Sequence, residues 1–192
     1  MKAFMDGLQS QPSAPTGQVV LGLSTIVHRI EVTPKPGMVD VRGEVVRRSL
    51  LNNHNISVDK VRSIVGFLIN SELDEDPLHE DLDVLFADPI IENATCNSPL
   101  LEDEVQFPER PDAVISIGFK PGVTDNPGSA ALDGLLTLHP ELGDGAAIST
   151  SMTYAFHGLS EDIDLNWLAK QLHNPLIEIA KVADTRNPNT PL

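Results

Sequence analysis

Two short stretches of the chain place a lysine, a glycine and an aspartate at the same spacing. Lys35-Pro36-Gly37-Met38-Val39-Asp40 and Lys120-Pro121-Gly122-Val123-Thr124-Asp125 both read Lys-Pro-Gly-x-x-Asp, and a glycine follows three residues later in each, Gly43 and Gly128. One chemistry open to this pattern is contact with a partner or an anion, because glycine lets the backbone approach closely and lysine brings charge. The other is local: proline and glycine end a strand, and the aspartate caps the next helix by accepting its orphan amides. The local reading accounts for glycine and aspartate but leaves the lysines without a role. Lys35, Gly37, Asp40, Gly43, Lys120, Gly122, Asp125 and Gly128 are therefore the candidate partner-contact residues, and no residue stands out as catalytic.

Other chemistry lacks its parts. The six histidines include no pair at metal-ligand spacing, and there is no Cys-x-x-Cys, which argues against zinc. Cys96, in Ala-Thr-Cys-Asn-Ser, has no strand-turn-helix elbow and no histidine beside it, and reads as a loop or strand cysteine. Neither of the common glycine-rich nucleotide loops occurs. The carboxylates from Glu72 to Asp83 lack the glycine and spacing of a calcium loop and read as a solvated turn that feeds a helix start. With no nucleophile–base constellation, an independent enzyme has little support.

The elements that position the motif follow from changes of period. His28 to Thr33 and Ala113 to Gly118 alternate as half-buried strands do. After each Lys-Pro-Gly, the stretches Val41 to Leu51 and Pro127 to Leu138 carry apolar residues at helical spacing, with Asp40 and Asp125 as N-caps. Second strands fit Val61 to Ile69 and Ala147 to Phe156, second helices Leu78 to Phe86 and Leu165 to Leu172. Third strands fit Ile90 to Ala94 and Leu176 to Val182, after Asp-Pro and Asn-Pro steps that stop the helices. Each half thus reads β-α-β-α-β.

The halves are also alike in sequence. An offset of 85 residues superposes 28–54 on 113–139 without a gap and gives nine identities over 27 positions, where average composition supplies roughly one or two. Asp88-Pro-Ile-Ile-Glu92 is answered by Asn174-Pro-Leu-Ile-Glu178. The expectation is an α+β fold of two tandem β-α-β-α-β units, repeat 1 over 28–97 and repeat 2 over 113–183, forming a pseudo-dimer with a mainly antiparallel sheet. Each small sheet has one apolar face that its own helices leave bare, so the copies pack sheet to sheet or edge to edge. Residues 1–27 read as a flexible arm, 98–112 as a linker rich in proline and acid, and 184–192 as a tail.

Composition narrows the partners. A formal charge of −15 repels phosphate backbones and anionic lipid, which argues against nucleic acid and membrane surfaces. The apolar stretch from Val19 to Val27 is interrupted by Gly22, Ser24 and Thr25, falls short of the ~20 residues of a spanning helix, and has no positive charge directly ahead of it as a signal peptide requires. A single cysteine suits a cytoplasmic location.

The string Lys35-Pro-Gly-Met-Val-Asp-Val-Arg-Gly43, with Asp81-Leu-Asp-Val-Leu85 and Ala87-Asp-Pro-Ile-Ile-Glu92 after it, resembles the small S subunit (PurS) of phosphoribosylformylglycinamidine synthase. The second copy, with Phe119-Lys-Pro-Gly-Val-Thr-Asp-Asn-Pro-Gly128 and Asn174-Pro-Leu-Ile-Glu178, resembles the matching N-terminal region of fused or larger synthases. The resemblance spans residues 28–182. It implies a non-catalytic bridge between a synthetase subunit, which uses ATP and magnesium on formylglycinamide ribonucleotide, and a glutaminase subunit, which releases ammonia from glutamine. No cofactor would be bound by this chain itself. The usual S subunit is a single copy that dimerises, whereas here both copies share one chain, and tethering removes the cost of association. The alternative is a small-molecule-sensing module of ferredoxin-like or ACT-like type, which also pairs βαβ units.

Overall fold

The computed structural model describes residues 26–186. Within the arm expected over 1–27, only Ile26 and Val27 fall in this range, and they open a strand. Of the expected tail, 187–192 lie outside the described residues.

The element order is β1 (Ile26–Pro34), α1 (Val41–His54), β2 (Lys60–Ser71), α2 (Glu75–Asp81) running into a π-helical turn at Leu82–Phe86, and β3 (Glu92–Cys96). Then come β4 (Ala113–Phe119), α3 (Asn126–Leu138), β5 (Ala147–His157), α4 (Leu165–Leu172) and β6 (Glu178–Asp184). The fold is α+β. Among the described residues, six strands form one open antiparallel sheet in the order β3-β1-β2-β5-β4-β6. The halves therefore meet edge to edge, along a seam that runs from Lys60 opposite His157 to Asn70 opposite Ala147.

The caps explain where helices begin and end. Asp40 and Asp125 cap α1 and α3 through the amides of Gly43 and Gly128. Helix α1 runs three residues past the expected Leu51 because Asn55 takes a left-handed conformation, φ 55°, and closes the helix with Asn55 N–H to Leu51 O and Ile56 N–H to Leu50 O. The third strands start two residues later than expected, at Glu92 and Glu178. The side chains of Asp88 and Asn174 accept from the amides of Ile90 and Leu176, and their carbonyls accept from Glu92 and Glu178. These Asx turns hold Pro-Ile-Ile and Pro-Leu-Ile out of the sheet. The second helix starts at Glu75 rather than Leu78, with Pro77 in the first turn, where no donor is needed.

Among the described residues the four helices lie on one side of the sheet, and α1 and α3 reach across the seam. One core gathers Val46 and Leu50 of α1 with Ile115 and Ile117 of β4, Phe156 of β5 and Leu168 of α4. The other gathers Leu135 of α3 with Ile30 and Val32 of β1, Ile69 of β2 and Leu78, Leu82 and Phe86 of the α2 segment. Each core is thus completed by the first helix of the opposite half. The rings of His54 and Trp167 meet edge to face across the same boundary, with centroids 5.1 Å apart.

The opposite face is partly covered, and by the linker. Ile64 and Ala155 alternate with the helix-facing Val61 and Phe156, and they pack beneath Leu100 and Phe107. A buried Glu31 accepts from the amide of Leu100 at 2.7 Å. Buried Arg62 donates to the carbonyls of Gln106 at 3.1 Å and Pro34 at 2.7 Å, and its guanidinium stacks 4.9 Å from the centre of the Phe107 ring. The stretch 98–112 is therefore a strap over the sheet face. Sequence reasoning expected a tether because its prolines and acids hide two apolar anchors.

Interlocked cores predict one cooperative transition. Leu135→Ala should cost about 2–5 kcal/mol and leave urea unfolding single-step by both tryptophan fluorescence and far-ultraviolet dichroism, although Trp167 lies on α4, beside the other core. Separate transitions would contradict this.

His139 adds a pH-dependent link between halves. Its Nε2 lies 2.6 Å from Asp81 Oδ2 and its Nδ1 3.2 Å from Glu141 Oε1. Partial burial opposes its charge, but the hydrogen bonds to Asp81 and Glu141 outweigh it and raise the pKa above 6.5. A raised folded-state pKa gives stability that is complete below the unfolded value and lost as pH rises through the folded one. The stability gap between the native chain and His139→Gln should therefore be wider at about pH 6 than at about pH 8, measured by urea midpoints.

Candidate partner-contact site

Each Lys-Pro-Gly-x-x-Asp stretch joins a strand to a helix in the same way. Met38 N–H bonds to Lys35 O and Val123 N–H to Lys120 O, closing β-turns whose third residues, Gly37 and Gly122, have φ of 86° and 84°. A turn with positive φ at that position selects glycine, and proline at the second position presets the first dihedral. Both glycines face open space.

The aspartates do more than cap. Asp40 accepts from Gly43 N–H at 2.8 Å, Ser63 N–H at 2.6 Å and Ser63 Oγ at 2.8 Å. Asp125 accepts from Gly128 N–H at 2.7 Å, Thr150 N–H at 2.6 Å and Thr150 Oγ1 at 2.9 Å. Each carboxylate thereby pins a helix start onto the second strand of its half. The pinning demands glycine next door: a Cβ on Gly43 would lie 2.1 Å from Val61 O, and one on Gly128 2.7 Å from Ile148 O.

The lysines find their role here too. Lys35 Nζ donates to Pro89 O and Lys120 Nζ to Pro175 O, while their backbone amides bond to Ile91 O and Ile177 O. Each lysine therefore ties the Lys-Pro-Gly turn to the Asx turn ahead of the third strand. The sequence left these partners invisible because they lie 54 and 55 positions away.

What the paired turns expose is apolar. Around the first, Val39 is 76% and Ile90 75% accessible, with Met38, Val41, Val45 and Ile91 also exposed; around the second, Leu176 is 82% accessible. A groove of about 410 Å³ runs between the first pair, lined by Met38, Val39, Val41, Arg42 and Ile91. Exposed aliphatics held on rigid, hydrogen-bonded turns are suited to burial against another protein.

The halves differ in charge beside this framework. A cavity of about 460 Å³ next to the first turn is lined by Lys35, Arg47, Arg48, Lys60 and Arg62 with Asp40, Glu44 and Asp59. Taking Ser63 and Thr150 as equivalents through their shared role, Ala147 and Ser149 stand where the first half has Lys60 and Arg62. Hydrogen bonds from Arg47 and Arg48 hold the Glu44 carboxyl down at about 2, so the acid stays ionised and occupies both guanidinium groups.

Cys96 ends β3 and is 1% accessible. Burial, followed by the nearby Glu75 charge, pushes its thiol up to about 11, which disfavours the thiolate a nucleophile needs. Among the described residues, Glu75, His79 and Cys96 lie close enough together to hold a metal ion. No helix of the described residues is long and apolar enough to cross a membrane. No known protein family matches the chain, and no curated protein is significantly similar to it.

Asp40→Ala should cost about 2–4 kcal/mol, the sum of a lost cap and two further hydrogen bonds. Gly43→Ala should destabilise by at least about 1–3 kcal/mol through overpacking, whereas Gly37→Ala should cost only about 1–2 kcal/mol for its left-handed backbone. Urea unfolding of the three variants gives this order directly.

Proposed function

We propose that the chain is a pseudo-dimeric, non-catalytic bridge of the kind represented by the S subunit of phosphoribosylformylglycinamidine synthase, with its two tandem β-α-β-α-β units taking the place of two separate subunits. The observation that carries this reading is the reach of α1 and α3 across the β2–β5 seam, each held on the second strand of its own half and adding residues to the core of the other. A unit whose core is completed by its neighbour's helix must be paired, as that subunit is. Two further observations support it: the equivalent hydrogen bonds of Asp40 and Asp125, and those of Lys35 and Lys120, fit a duplicated ancestor.

In this role the chain works in the cytoplasm and links a synthetase that consumes ATP, with magnesium, to a glutaminase that releases ammonia. Enclosing the path between them matters because ammonia lost to water is diluted, whereas a held nucleophile gains effective concentration. The exposed aliphatics at Val39 and Ile90, and at Leu176, form the contact surface, and the Lys-Pro-Gly-x-x-Asp turns set its geometry. The second reading, a small-molecule sensor, draws support from the cavity of about 330 Å³ on the open sheet face, which spans both halves and has Arg29 and Lys181 in its lining. Calorimetry against amino acids and purine nucleotides separates the two, since only a sensor binds one of them tightly.

The chain should co-elute with the cognate synthetase and glutaminase when glutamine and nucleotide are present. Val39→Asp combined with Ile90→Asp should abolish co-elution while leaving the dichroism spectrum intact. Failure of the native chain to bind either protein would end the proposal.

A further inference from the structure

Helix α2 and strand β3 bring three different metal-ligating side chains together. Glu75 and His79 sit one turn apart on α2, with His79 Nε2 already 3.2 Å from Glu75 Oε1. Cys96, at the end of β3, faces them from the sheet, and one ligand atom from each of the three lies within 4.8 Å of the others. Bonds of about 2.0–2.3 Å to zinc place tetrahedral ligands roughly 3.3–3.8 Å apart. Closing the group thus needs about 1 Å of movement, which the exposed side chains of Glu75 and His79 can supply by a change of rotamer. Cys96 is buried, and among the described residues its thiol has no hydrogen-bond partner, although sulfur is a weak donor and acceptor.

The surroundings resemble the outer shell of a metal centre. Asn97, held in the left-handed region at φ 56°, brings its side chain beside the Glu75 carboxylate. The same side chain accepts from Arg29 N–H at 3.0 Å and meets His28 Nδ1 at 2.9 Å, while His28 Nε2 meets Leu73 O at 2.9 Å. Outer-shell bonds of this sort orient ligands and stiffen a site.

We infer that Glu75, His79 and Cys96 form a binding site for a borderline divalent cation, zinc in the first instance, with water in the fourth position. Mixed sulfur, nitrogen and oxygen ligation excludes calcium and magnesium, which take oxygen alone. The site clips α2 to β3 and stands apart from the paired turns, so it does not depend on the bridging role. The sequence concealed it because its ligands come as one residue of each type, and Cys96 is 17 positions beyond His79.

The test uses the untagged full chain, stripped with chelator and titrated with Co(II). One equivalent should produce the near-ultraviolet charge-transfer band of a cobalt thiolate, and Zn(II) should bleach it. Cys96→Ser should remove the band, and His79→Ala, at an exposed position that leaves folding intact, should weaken Co(II) binding at least about tenfold. A native chain that gives no thiolate band would overturn the assignment, as would a band that His79→Ala and Glu75→Gln both leave unchanged.

Discussion

The seam between β2 and β5 is the constraint on which the rest of the molecule depends. It joins two three-stranded sheets into one, and so brings each first helix over the other half's strands. Leu50 is buried against β4 and α4, and Leu135 against β1 and the α2 segment. Separating the halves would uncover both cores at once, and the penalty scales with the apolar area exposed. The seam is long because β2 and β5 are the longest strands, and each carries alternating apolar residues on its helix side.

The second organising interaction is polar. Asp40 and Asp125 each spend one carboxylate on a helix cap and a strand amide together, which sets the distance between helix and sheet. Gly43 and Gly128 permit that distance, since a methyl group at either would strike the carbonyl of the strand beneath. Lys35 and Lys120 extend the same bracing to the Asx turns. The likeness of the two motifs therefore follows from architecture, and what the turns leave exposed is the aliphatics on their tips, Val39, Ile90 and Leu176. Rigid turns limit the entropy lost when such residues are buried by a partner.

Much of this was legible beforehand. The alternation in β1 and β4, the caps at Asp40 and Asp125 and the breaks at Lys-Pro-Gly are local signals, because period and capping act within a few residues. Sequence places the third strands two residues early because Ile90, Ile91 and Leu176 have strand composition, while the side chains of Asp88 and Asn174 enforce a turn. The strap from 98 to 112 has the composition of a linker, and Arg62 and Glu31, which anchor it, lie in strands far away in sequence.

By itself the sequence determined that 28–54 and 113–139 share one pattern of residues, which residues cap α1 and α3, and where the first two strands of each half run. Those properties depend on neighbours in the chain, and the chain order carries them. Only the tertiary structure decided that the halves join edge to edge, that α1 and α3 reach across the seam, that the lysines hold carbonyls in remote turns and that Cys96 meets Glu75 and His79. Each of these is a contact between residues many positions apart, chosen by how apolar faces and unpaired polar groups can all be satisfied at once.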